Sequence, residues 1–436
     1  MSNVNNNIIK YKDSCANIVS DELSLFLKES AQKMLRVAIE DEVNNFISSH
    51  SGKHLSSGHK QIVRNGYLPE RKIHTGIGSI SISVPRTRDR SSQGITFNSS
   101  LIPKHMRRTV SLDLLLPLLY LKGISTKDFA SSFVPILGHN PKNMSSQVIS
   151  NLKSSWINEY NKWQEEDLSC KQYIYIWADG IYLQARSEDE KQCILVIIGA
   201  DEYGRKEVVA INDGYRESKE SWRELLLDLK SRGLSYSPHI AVGDGALGFW
   251  GALSEIYPKC KHQRCWVHKL RNILNKLPSG LQEKAKSKLH NIYMADTKKN
   301  ALKAYNHFIT LYGAKYPKAI ECLDKDKDEL LSFYDFPAEH WIHIRTTNPI
   351  ESTFATVRHR TKKSKNCFSR NTILAATFKL IKEAEKRWNP LRGKNRIAEV
   401  IQLHKFIDGI NHTINQNNLT HKRTNINKMK QFKYAA

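Results

Sequence analysis

The sequence predicts a mixed α/β protein, with a strand-rich middle segment between two helical regions. Three observations carry this. Apolar runs rich in β-branched and aromatic residues recur from Tyr173 to Val242. Apolar residues return at helical spacing before and after them. A helical stripe also separates the later strands, as expected when helices cover a sheet.

Taken in order, Leu23, Leu25, Phe26, Ala31, Met34, Leu35, Val37, Ala38, Val43 and Phe46 repeat with helical period. They predict one or two amphipathic helices from Asp21 to about Ser49, suited to packing or to an oligomer contact. Residues 51–72, rich in Gly, His, Ser and basic side chains, read as a loop. Ile80, Ile82 and Val84 then alternate with serines, predicting a strand that Pro85 stops. Arg86, Arg88 and Arg90 continue the two-residue period. In extended chain they share one face suited to phosphates; otherwise they form a solvated basic loop.

From Ser111 to about Glu166 the pattern is helical. An apolar stretch reaches Leu121, a short helix starts at Ser125, and a third begins near Ser145 or Ser146 after Gly138, Asn140 and Pro141. This order fits a helix-turn-helix whose last helix presents Gln147, Asn151 and Lys153 to the major groove. An ordinary three-helix bundle has the same pattern.

Strands are expected over 173–186, 192–198 and 207–211, then a helix from Ser218 to about Ser231 with Trp222, Leu225, Leu226 and Leu229 on one stripe. Another strand, His239 to Val242, ends at Gly243-Asp244-Gly245, and a helix carrying Phe249, Trp250, Leu253 and Ile256 follows. From about Trp266 to His340 the reading is helical throughout. Further helices are expected from Asn348 to about Arg360 and from Thr372 to Trp388, before a polar, basic tail.

Charge narrows the partners. With 67 Lys and Arg against 43 Asp and Glu, the formal charge is +24, and its field attracts polyanions such as nucleic acid. A membrane is the weaker reading, since the most apolar run, Leu112 to Leu121, is too short to span a bilayer and contains Asp113 and Pro117. The N-terminus lacks an apolar run behind a basic start, so no secretory leader is expected. Seven scattered cysteines fit a reducing cytosol.

Asp179 interrupts a strongly apolar strand and Asp244 ends another; each is followed by Gly. A buried lone carboxylate is costly unless paired or bound to a cation, and strand ends are where α/β sites form. Two such aspartates would supply hard oxygens for Mg²⁺, although Asp-Gly is also a common turn. Glu351 is the third candidate. Asn348 as N-cap, Pro349 and Glu351 also satisfy a capping box, while Arg345, Arg358, Arg360, Lys362 and Lys363 give its surroundings a phosphate-attracting field.

IWADGIYLQAR, INDGYRESKESWRELLLDLKSRGL, VGDGALGFWGAL, PKCKHQRCWVHKLRNIL and RTTNPIEST, in this order, resemble bacterial insertion-sequence transposases of the Mutator-like (IS256) type. The resemblance covers most of the chain. It implies a DDE transposase with an RNase H-like catalytic core interrupted by an all-helical insertion and preceded by a mainly helical DNA-binding region. The implied divisions are a helical region (1–72), a DNA-binding region (73–166), the first part of the core (167–268), the insertion (269–344), the final core helices (345–390) and a basic tail (391–436).

Position by position, Asp179, Asp244 and Glu351 fall on the acidic triad, which would hold two Mg²⁺ or Mn²⁺ ions. Cys265 and His268 match the family's Cys-x-x-His signature, with a structural role beside the site. Cys260, His262, Cys265 and His268 also offer four possible zinc ligands, at spacings unlike the usual two close pairs. Arg264, Arg345, Arg358, Arg360, Lys362 and Lys363 are expected DNA contacts. The implied activity is binding of terminal inverted repeats, metal-dependent strand cleavage and transfer into target DNA, by a homodimer or larger assembly in the bacterial cytoplasm at the nucleoid. A nuclease that does not join strands, or an inactive DNA-binding derivative, is the alternative.

Overall fold

Strand and helix formers segregate along this chain, and the computed structural model follows that segregation. It describes residues 22–91, 93–121, 124, 132–137, 146–185, 191–214, 216–245, 247–363 and 369–413. The chain divides into two units, residues 1–152 and 153–436.

In the first unit a single helix, α1 (Glu22–Ser48), fills the segment expected to hold one or two. Ile39 and Val43 are its buried residues, while Leu23, Phe26, Met34 and Val37 are exposed. Two antiparallel pairs follow: β1 (Ile62–Tyr67) with β4 (Pro85–Asp89), and β2 (Arg71–Thr75) with β3 (Gly78–Ile82). β1 and the start of β2 correct the loop read over 51–72. β1 buries only Ile62, so its sequence carries no alternating apolar signal. β3 ends at Ile82, short of Val84 and Pro85 where the expected strand stopped, and Pro85 instead opens β4, where a missing N–H is tolerated. Ile39, Ile73, Ile80, Ile82, Val84 and Ile102 form this unit's core.

Helices α2 (Val110–Leu121) and α3 (Val134–Leu137) precede α4 (Ser146–Gln164), which contains the boundary between the units. The helix expected from Ser125 and the break at 138–141 lie outside the described residues. No described helix is long and apolar enough to cross a membrane.

The second unit is built on a five-stranded mixed sheet: β5 (Tyr173–Leu183), β6 (Gln192–Asp201), β7 (Lys206–Gly214), β8 (Ile240–Gly243) and β9 (Lys261–Arg264). Their spatial order is β7-β6-β5-β8-β9. β5, β6 and β7 run antiparallel in succession, whereas β8 lies parallel to β5 and β9 parallel to β8. β9 was not legible in the sequence, because KHQR is a polar tetrapeptide. β6 is buried along its whole length, which explains its unbroken apolar run.

Between β7 and β8 runs α5 (Lys219–Ser231), whose N-cap Ser218 side chain accepts from the Ser221 amide. Its stripe of Trp222, Leu225, Leu226 and Leu229 is buried as expected. With α6 (Leu247–Ile256) it packs on Ile176, Ala178, Leu195, Ile197 and Ala241 of the sheet. Each such large apolar side chain contributes about 1.5–3 kcal/mol on burial. On β5, Trp177 Nε1 donates to the His343 carbonyl at 2.9 Å.

The stretch after β9 is helical as read: α7 (Trp266–Leu274), α8 (Ser279–Tyr293), α9 (Lys298–Tyr312), α10 (Pro317–Asp324), α11 (Lys327–Leu330), two 3₁₀ turns and α12 (Trp341–Ile344). It leaves and returns at one place, where the Trp266 amide donates to the Arg345 carbonyl at 3.0 Å. Then come α13 (Asn348–Lys363) and α14 (Arg370–Glu385).

Candidate active site

Parallel pairing of β5 and β8 sets Ala178 opposite Gly243. Asp179 is the next residue of β5 and Asp244 the first residue beyond β8, so two carboxylates follow directly where the parallel pairing ends. α13 packs against β5 and brings Glu351 in its first turn. Ile350, Phe354 and Val357 fix that helix by burial.

The start of α13 differs from the expected capping box. Its first turn hangs from Thr347, whose carbonyl accepts from the amides of Ile350 and Glu351 at 2.9 and 3.1 Å. Thr347 therefore takes the place read for Asn348. Glu351 lies one position deeper, and its Oε1 meets His268 Nε2 at 3.1 Å.

His268, in the first turn of α7, stands among the acidic groups. Its Nδ1 lies 3.9 Å from Asp244 Oδ1. Burial alone would lower the His268 pKa; the Cys265 side chain, with Asp244 and Asp179 behind it, more than offsets this and raises it to about 9. Burial likewise pushes the Cys265 thiol up, but His268 and Thr347 override it and hold the thiol below its ordinary value. Asp179 is raised to about 7, first by burial and then by the like charges of Glu217 and Asp244, against the pull of His268. Arg264 supplies a second cation, with Nη1 2.5 Å from Asp244 Oδ1.

Glu217 is the residue that sequence reasoning missed. It sits just before the N-cap of α5, in GYRESKES, which reads as an exposed helix entry. Burial and then the Asp244 charge raise its pKa. A Cβ at Gly180 would fall 2.5 Å from Glu217 Oε1, so glycine beside Asp179 makes room for this carboxylate. The clue in the sequence was that glycine.

The donor chemistry of Asp179, Asp244, Glu351 and Glu217 fits hard divalent cations, and His268 and Arg264 stand among them as stand-in positive charges. Among the described residues, the set of three potential ligands whose atoms lie within 4.8 Å of one another is Cys265, His268 and Glu351. Asp179 and Asp244 stand outside it.

Other expected contacts divide. Arg86 and Arg88 are exposed on the face of β4 opposite buried Pro85 and Thr87, and Arg90, just past the strand, is exposed too. Gln147 and Asn151 are exposed, hydrogen-bonded to each other at 2.9 Å, and line a cleft of about 710 Å³ with His105, Arg107 and Arg108. Lys153 on α4 is half-buried, and Arg358 is exposed over the Phe354 ring. Three of the expected DNA-contact arginines are engaged within the protein. Arg264 is buried between Asp244 and Asp326, Arg360 is buried, and Arg345 spends its guanidinium on the carbonyls of Tyr293 and Trp341. The side chains of Lys362 and Lys363 lie outside the described residues.

Fold and site together define a mixed α/β protein that gathers carboxylates where two adjacent parallel strands end, beside a helix bearing a further one. The chain belongs to the Mutator family of transposases, whose description, "Transposase, Mutator family", matches residues 3–390. It is 50% identical over 275 residues to the transposase for insertion sequence element IST2 of Acidithiobacillus ferrooxidans, covering 63% of this chain and 93% of that one. It is 48% identical over 285 residues to that for IS6120 of Mycolicibacterium smegmatis, covering 65% and 88%. The transposase for IS256 in transposon Tn4001 of Staphylococcus aureus is 29% identical over 308 residues, covering 70% and 76%.

Proposed function

We propose that this insertion-sequence transposase binds the terminal inverted repeats of its element, cleaves there and joins the freed ends to target DNA, using Asp179, Asp244 and Glu351 as its acidic triad. The observation that supports this reading is that Asp179 and Asp244 directly follow the paired residues Ala178 and Gly243, while His268 bridges from Asp244 to Glu351 of α13. The strand order β7-β6-β5-β8-β9, antiparallel then parallel, supports an RNase H-like core. The return of the chain at Arg345 supports reading 269–344 as an insertion into it.

Asp179, Asp244 and Glu351 would hold two Mg²⁺ or Mn²⁺ ions. Bound there, such ions supply Lewis acidity at the scissile phosphate and lower the pKa of an attacking water or 3′-OH. The protein's own part is orientation and charge. The carboxylates would fix the position of those ions, and the exposed Arg86, Arg88, Arg90 and Arg358 would grip flanking phosphates so that the attacked phosphodiester lies in line. Gln147, Asn151 and Lys153 would read the repeat. Water attack frees a 3′-OH at the element's end, which then displaces a second phosphodiester's leaving oxygen in the target. Because two ends must be joined, the working form is a homodimer or larger assembly.

The test uses labelled inverted-repeat ends, a target plasmid and Mg²⁺. Cleavage at the ends and a joined product are expected, and Asp244→Asn should bind the ends without cutting them. Cutting without joining would make the protein a nuclease, and wild-type cutting by Asp244→Asn would end the proposal.

A further inference from the structure

The fold separates the four residues that the sequence offered as zinc ligands. Cys260 Sγ turns to the Lys261 carbonyl before β9, and His262 stacks on Trp250 with ring centroids 4.6 Å apart. Cys265 is the N-cap residue of α7 and His268 lies in its first turn, so these two stay together. Glu351, from α13, completes a different set. The ligand atoms of Cys265, His268 and Glu351 all lie within 4.8 Å of one another.

We propose that Cys265, His268 and Glu351 form a site for a borderline divalent transition metal, typified by Zn²⁺, which shares Glu351 with the acidic triad. One sulfur, one imidazole nitrogen and one carboxylate oxygen select Zn²⁺ over Mg²⁺ by softness. Three protein ligands leave the fourth tetrahedral position open. The surroundings are those of a supported ligand set. Cys265 Sγ accepts from both the amide and the hydroxyl of Thr347, each at 3.3 Å. Asp244 Oδ1 stands 3.9 Å from His268 Nδ1, beyond hydrogen-bond reach but near enough to attract a cation bound beside the ring. Cys265 is buried, while the Glu351 side chain is 29% exposed and gives the ion its way in.

The consequence rests on the function proposed above. Zn²⁺ held here ties Glu351 to Cys265 and His268 and withdraws it from Asp179 and Asp244. Zn²⁺ therefore inhibits end cleavage even in excess Mg²⁺.

Binding is tested on the full-length, metal-free chain without DNA, with Co²⁺ as the spectroscopic probe. One equivalent should bind with a thiolate-to-cobalt charge-transfer band that Zn²⁺ abolishes. Cys265→Ser should remove the band. His268→Gln and Glu351→Gln should each weaken Co²⁺ binding about tenfold or more, and they keep the test decisive if the cysteine variant does not fold. No band in the wild type, a band retained by Cys265→Ser, or wild-type affinity in both other variants would overturn the site. A second arm measures end cleavage in excess Mg²⁺ with Zn²⁺ buffered at rising concentration. Inhibition is expected to follow Co²⁺-site occupancy, and full activity with the site filled overturns the regulatory claim. Absence of Mg²⁺-dependent cleavage without Zn²⁺ would instead remove the function proposed above and leave the cobalt result standing.

Discussion

His268 Nε2 lies 3.1 Å from Glu351 Oε1, and the other nitrogen of the same ring lies 3.9 Å from Asp244 Oδ1. One imidazole thus spans two carboxylates carried on separate elements. Acidic groups so gathered repel one another unless a cation intervenes, and in this chain His268 and Arg264 are the cations on hand.

A pH dependence follows for the metal-free protein. Asp179, raised to about 7, binds its proton more tightly folded than unfolded, so its contribution to stability falls as pH rises from about 4 through 7. His268, raised to about 9, contributes stability that is complete below about 6.5 and lost as pH climbs through 9. Urea midpoints measured from pH 4 to 9 should decline in both windows. Asp179→Asn should flatten the first, and His268→Gln the second by about 2 kcal/mol.

Glu217 and Gly180 form a pair to be tested together. If Glu217 helps the triad hold its cations, Glu217→Gln raises the Mg²⁺ concentration for half-maximal cleavage by about tenfold. Gly180→Ala drives a methyl into the same carboxylate, costing about 1–3 kcal/mol in stability and raising the Mg²⁺ requirement in the same direction. Unchanged Mg²⁺ titrations in both variants would make Glu217 a bystander.

Arg264 separates an internal role from a DNA-facing one. Its guanidinium pairs with Asp244 and Asp326 while itself buried. Arg264→Ala takes from Asp244 its nearest cation and leaves Asp326 to Lys269 alone, and should destabilise the fold by about 1–3 kcal/mol, read from thermal or urea unfolding. The salt dependence of DNA binding should stay as in the wild type.

These cases show what a sequence conceals. Asp179 and Asp244 stood out because a carboxylate in an apolar strand is an anomaly needing a cause. Glu351 was compatible with local capping rules, and only its motif context raised it above them. Glu217 had no anomaly of its own, since RESKES is what any exposed helix entry looks like. The internal partners of Arg264 and Arg345 and the burial of Arg360 were hidden because counting charges does not reveal which are buried in ion pairs or spent on carbonyls. β1 and β9 escaped because strands of mostly polar side chains have no alternation to detect.

The exposed arginines on and just after β4 belong to the other class. Replacing Arg86, Arg88 and Arg90 together by Ala should lower the log–log salt slope of DNA binding by about 0.9 per lost phosphate contact, with little change in folding stability. Binding isotherms across a salt series would show this. An unaltered slope would remove β4 from the interface.

The hydrogen bond between the Trp266 amide and the Arg345 carbonyl joins the two ends of the helical stretch. It is one tie of several, since Asp326 pairs with Arg264, His340 meets the Tyr175 hydroxyl and the His343 carbonyl accepts from Trp177. A reporter domain would therefore disturb the chemistry least at the exposed turn of Ala314 and Lys315 between α9 and α10.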